Sequence, residues 1–183
     1  MNREGIVSDK LIQLANLIKE RNTIAQSITA LIGRPAQIGH IGEYIASKIF
    51  RIDLAQSATQ KAIDGYFRDG LLQKKSVNVK WYGKREGTLD ITSDTLPDYY
   101  LVFTGAKSSA MISHGEVRPW IIEQVFLFEA EPLVTALRHN GLKIGIATSV
   151  RRHFWDEAEI YPTAANPLYQ LSDEQRKALT LFG

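Results

Sequence analysis

The chain has 183 residues, 44% of them hydrophobic and 23% charged, which is enough apolar material for a packed core and excludes wholesale disorder. It has no cysteine, so disulfide frameworks, thiolate zinc sites and cysteine nucleophiles are excluded. The net charge is +2, no apolar run approaches the roughly 20 residues of a membrane span, and the Met1-Asn2-Arg3-Glu4 start lacks the order of a signal peptide. A cytoplasmic protein with one domain, an N-terminal helical segment over 1–34 followed by a core over 35–183, is expected.

In chain order, Leu11, Leu14, Ile18, Ala25, Ile28 and Ile32 follow three- and four-residue spacing and predict a helix over 8–32, opened by Ser8 or Asp9. Arg21 interrupts the stripe, and Thr23-Ile24-Ala25-Gln26 has capping-box form, which allows a break near Asn22. Gly33 and Pro35 end the segment, and its stripe is expected to meet the core or a second copy. A second helix is predicted over 37–50 on Ile38, Ile41, Ile45 and Ile49. Glu43 falls opposite that stripe, beside the small residues Gly39 and Ala46, on a face that either lines a cleft or meets solvent.

The period then changes to two. Strands are predicted over 62–67 and over 76–82, where Val77, Val79 and Trp81 share one face and Asn78 and Lys80 the other. Further strands are predicted over 99–103 and 120–128, with a short one over 143–147. Helices are predicted over 131–138, over 149–159, and from the capping box at Ser172 to Leu181. Helices, then strands, then helices describe a mixed α+β (α/β) fold around one central sheet.

Charge is unevenly distributed. Residues 61–85 hold seven Lys and Arg against Asp64 and Asp69, whereas 86–131 hold two bases against eight acids. The basic strip is either a phosphate-binding face or a solvated one. Phosphate-cradling glycine loops, hydrolase elbows and HExxH are absent. His40 with Glu43, and His153 with Glu157, are one-turn pairs expected at the surface, as is the group Arg151, Arg152, His153 and Trp155.

One pattern carries chemistry: Glu43 on a helix, Asp64 on a strand, and Asn78-Val79-Lys80 on the next strand. Carboxylates hold Mg²⁺ among waters, the ion polarises a phosphoryl oxygen, and a lysine stabilises charge developing there. The same residues also suit a surface Asp–Lys pair. Gly42-Glu43, Ile63-Asp64 and Val77-Asn78-Val79-Lys80 together resemble the PD-(D/E)xK, or restriction-endonuclease-like, nucleases over about residues 39–82. Asn78 stands where that family has Asp or Glu, and Ile63 where it has Pro.

The resemblance implies a mixed sheet of four or five strands flanked by helices, and Mg²⁺-dependent (or Mn²⁺-dependent) DNA hydrolysis of restriction or repair type by a homodimer. It further implies Asp64, Asn78 and Glu43 as metal ligands and Lys80 as the catalytic lysine. Lys74, Lys75, Lys84, Arg85 and Lys107 are then candidates for phosphate contact. The alternatives are a nucleic-acid-binding protein of the same fold without cleavage, and a protein-interaction module that dimerises.

Overall fold

The computed structural model describes residues 8–55, 62–92, 95–106 and 118–183. The chain divides into two units, Met1–Ile41 and Gly42–Gly183. The first holds helix α1 (Asp9–Ile32), unbroken at Asn22. The Ser8 hydroxyl oxygen accepts from the Leu11 N–H (3.3 Å). Gly33, at φ 71°, closes the helix by donating its N–H to the Thr29 carbonyl (2.9 Å). Helix α2 (Ile38–Ile49) begins in this unit and runs into the second.

The second unit is mixed α+β. Its strands are β1 (Ile52–Leu54), β2 (Gly65–Phe67), β3 (Ser76–Tyr82), β4 (Thr88–Leu89), β5 (Tyr99–Thr104), β6 (Gln124–Glu129), β7 (Thr148–Ser149) and β8 (Glu159–Tyr161). Its remaining helices are α3 (Ala130–His139), α4 (Arg152–Ala158) and α5 (Asp173–Leu179), the last followed by a 3₁₀ turn. Six strands form one sheet in the order β1-β2-β3-β5-β6-β8, and β4 and β7 form a small antiparallel pair. Among the described strands only β3 and β5 run parallel, with Asn78 beside Tyr100 and Lys80 beside Val102.

The sheet therefore exceeds the expected four or five strands. Its additional strands β1 and β8, three residues each, and the separate two-residue β4 are too short to show a period. Strand β8 takes Glu159 from the predicted helix. The strand expected over 143–147 lies instead at Thr148–Ser149.

Both faces of β3 are covered, so it is buried almost continuously rather than at alternate positions. On one face Trp81 meets Phe103 edge-on, with ring centroids 6.4 Å apart. Gly42 of α2 comes so close to this face that a Cβ there would stand 3.3 Å from the Trp81 Cβ. On the other face Tyr100, Val102, Phe126 and Phe128 form the main core with Leu133, Val134 and Leu137 of α3 and Trp155 of α4. The Trp155 ring stands edge-on to Phe126 (4.8 Å) and Phe128 (5.0 Å). Trp155 is thus a core residue, not part of an exposed basic-aromatic group. Among the described residues no helix is long and apolar enough to cross a membrane.

Candidate functional site

Strand β3 carries the site. Alternation puts Ser76, Asn78, Lys80 and Tyr82 on the face of the main core, and the apolar Val77, Val79 and Trp81 on the face that receives α2. A row of polar groups thus runs along an otherwise apolar face, and each of its members needs a partner.

At the start of the row, Ser76 is tied to Asp98, just before β5. The Ser76 N–H (2.8 Å) and hydroxyl (2.7 Å) donate to one Asp98 oxygen, and the Lys75 ammonium pairs with the other at 3.0 Å. Partial burial works to raise the Asp98 carboxyl, but these three donors outweigh it and hold the group below the usual carboxylate range. The same hydrogen bond and charge raise Lys75. At the far end, Tyr82 oxygen accepts from the Asp90 N–H at 3.0 Å. Burial pushes Tyr82 far above the usual phenol range and Tyr100, beside Asn78, up to about 12. Both phenols stay neutral at physiological pH.

The middle of the row is different. Asn78 is 5% exposed, and its Oδ1 is buried with no hydrogen-bond donor. Lys80 is half-buried, and among the described residues no hydrogen bond or ion pair engages its ammonium. Asp64 stands one residue before β2, which pairs with β3 through Gly65 and Val77. Its backbone N–H donates to the Val77 carbonyl (2.9 Å), and its Oδ2 accepts from the Val79 N–H (2.7 Å). The carboxylate thus takes a hydrogen bond from the residue between Asn78 and Lys80. Gly65 permits this. A Cβ there would lie 2.5 Å from the Asp53 carbonyl oxygen and 2.7 Å from Ile52 Cγ2, so only glycine lets β1 close on β2 beside Asp64.

Glu43 is half-buried on α2, whose neighbouring Gly42 packs on Trp81. Helix α2 thus meets the Trp81 face of β3, whereas Asn78 and Lys80 alternate to the other face. Among the described residues no three His, Asp or Glu form a group able to hold a metal ion.

The basic strip is divided between the two ends of β3. Lys74 and Lys75 precede it, and Lys84 and Arg85 follow it, with seven strand residues and roughly 23 Å between. Lys75 holds Asp98, and Arg68 is held twice by Asp53 (2.9 and 2.6 Å). Lys84 is 8% exposed and pairs with Glu86 at 3.0 Å. The Arg85 guanidinium lies over the Phe126 ring, 5.4 Å from its centre, with Nη1 buried and without an acceptor. Lys74 is exposed and among the described residues has no ion pair. Lys107 lies outside the described residues. Among the described residues of the strip, Arg68, Lys75 and Lys84 are thus held in local ion pairs, and the strip is interrupted by the length of β3.

Ser76 and Asp98 were not singled out from the sequence. The available signal was that Ser76 continues the alternation of Asn78 and Lys80, which puts a hydroxyl on the same face. No protein-family model matches the chain, and no curated protein matches it significantly.

Proposed function

We propose that the chain is a metal-dependent nuclease that hydrolyses phosphodiester bonds of DNA, working at Asp64, Asn78 and Lys80. The supporting observation is the pairing of two unmet groups on one face of β3, a buried carbonyl oxygen without a donor and a half-buried ammonium without an anion, beside the Asp64 carboxylate. Leaving a buried polar atom unpaired costs about 1–3 kcal/mol. A bound cation at Asn78 Oδ1 and a phosphate at Lys80 would relieve both.

The donor set fits Mg²⁺, a hard cation that takes one or two carboxylates, amide oxygens and waters. Asp64 and Asn78 would hold it, and Glu43, on the helix that meets the other face, is left out of the donor set. When bound, such an ion polarises a phosphoryl oxygen and acidifies a coordinated water. Lys80 would neutralise charge developing on the phosphate, at a distance set by the rigid two-residue step from Asn78. The Val79 N–H orients Asp64, and the sheet on either side fixes both strands.

The test is metal titration of plasmid and single-stranded DNA cleavage, with calorimetry of metal binding run alongside. Asp64→Ala and Lys80→Ala should abolish cleavage, and Asp64→Ala should also remove metal binding. Asn78→Asp should tighten metal binding, since it adds a charge where the protein supplies only a dipole. Cleavage that survives Asp64→Ala would refute the assignment. DNA binding without cleavage by either wild type or Asn78→Asp, at any Mg²⁺ or Mn²⁺ concentration, would instead support a binding protein of the same fold.

A further inference from the structure

None of the 24 residues of α1 is buried. Leu11, Leu14, Leu17, Ile18, Ile24 and Leu31 are about half exposed or more, up to 73% at Leu31. Most helices in proteins are stabilised by packing of an apolar face, since intrinsic propensity is a weak force. This one is short of propensity as well, with five isoleucines and two threonines among its 24 residues. A helix of this composition needs a partner.

Its pattern specifies which kind. Positions 11, 14, 18, 21, 25, 28 and 32 alternate steps of three and four without a break, and six of the seven are Leu, Ile or Ala. That is the heptad repeat of a helix packed against another helix, sustained for three heptads. The seventh position is Arg21, and it selects an orientation. In a parallel pair in register, Arg21 would face its own copy inside an apolar seam. In an antiparallel pair, Leu14 faces Ile32, Ile18 faces Ile28, and Arg21 faces Ala25. The alanine leaves room for the arginine stem while the guanidinium reaches water. Antiparallel packing also sets the two helix dipoles in opposition, which is favourable.

We propose that two copies of this chain associate through α1 as an antiparallel helical pair. The helix is about 36 Å long. Leu11, Leu14 and Ile18 of the seam, with Leu17, Ile24 and Leu31 along its flank, offer on the order of 600 Å² per copy, so a pair that covers seam and flank together buries up to roughly 1,200 Å², the lower end of stable interfaces. The proposal is independent of any nuclease activity, because it uses no residue of the β3 site.

Sedimentation equilibrium on the full chain tests it. Wild type should sediment at twice the chain mass. Leu14→Glu combined with Ile18→Glu should halve that mass, while the fluorescence unfolding of Trp81, Trp120 and Trp155, all in the second unit, stays unchanged. Asn16→Glu, on the opposite side of the helix, should leave the dimer intact. A wild-type monomer across the micromolar range, a dimer that survives the double substitution, or a stoichiometric foreign partner held by α1 in place of the second copy would each overturn the proposal.

Orientation is read by cysteine crosslinking, which is clean because the chain has no cysteine. Ile18→Cys and Ile28→Cys should crosslink only when the two variants are mixed. Self-crosslinking of each variant alone would overturn the antiparallel arrangement.

Discussion

Replacing Asn78 with leucine separates stability from activity at the β3 site. Asn78 is 5% exposed, and its buried Oδ1 lacks a donor, so the folded state carries the cost of an unpaired carbonyl dipole, about 1–3 kcal/mol. Leucine has the same γ-branched outline and no polar atom, but it is larger, so the neighbouring side chains must yield to it. It removes that cost and adds apolar contact with the Tyr100 side of the core. Part of this gain is offset by loss of the amide N–H groups and by the strain of the larger side chain, leaving an expected net stabilisation of about 1 kcal/mol. For a chain of this size that raises the melting temperature by roughly 2–4 °C. Cleavage and metal binding should be lost at the same time, because leucine offers no oxygen. The assay is thermal unfolding followed by tryptophan fluorescence, paired with metal calorimetry and plasmid nicking. Destabilisation by more than about 1 kcal/mol in both Asn78→Leu and the smaller Asn78→Val would show that Oδ1 is satisfied in solution, and the reasoning from an orphaned oxygen would fail. A stabilised variant that still cleaves DNA would remove Asn78 from the site.

Gly65→Ala should cost about 2–3 kcal/mol in urea unfolding, because the added methyl meets backbone at Asp53; a neutral effect would mean that β1 does not close on β2 as described. Asp98→Asn should lower stability at pH 7 by about 1 kcal/mol after allowance for solvent screening. The folded carboxyl is depressed, so its contribution is present above the unfolded value near 4 and is lost as pH falls through the lower folded value. The difference between variant and wild type should therefore shrink in acid melts, and a gap that is constant down to pH 2 would contradict it. In salt titrations of DNA binding, Lys80→Gln should reduce the slope more than Lys75→Gln or Lys84→Gln, since the latter two already hold acids; equal reductions would restore the strip as one phosphate-binding face.

The long elements were legible because their periods are long. Seven alternating residues identified β3 to the residue, and the Ser172 box with Gln175 fixed the start of α5. The partners of the basic residues were not legible. Lys75 and Asp98 are 23 residues apart, and only the parallel register of β3 and β5 brings them together. The side of Glu43 was likewise hidden. Helical spacing gave its angle to the isoleucine stripe, but which sheet face receives that stripe is decided by Gly42 against Trp81. The polarity of Arg152 and His153 concealed a third case, since the neighbouring Trp155 turns inward onto Phe126 and Phe128.

The small pair of β4 and β7 has a consequence for biosynthesis. Strand β4 lies in the connection from β3 to β5, yet its hydrogen-bond partner is Thr148–Ser149, about 60 residues later. A growing chain on the ribosome can join β3 to β5 long before β4 has anything to hold it. Val150, whose N–H bonds to the Gly87 carbonyl, and Trp155 arrive later still. The face bearing Asn78 and Lys80 therefore receives its last cover, Val150 and Trp155, only after the sheet strands β3, β5 and β6 and helix α3 have emerged. Protease sensitivity between Gly83 and Asp98, in chains stalled at Asn140 but not in the full chain, would record that order of events.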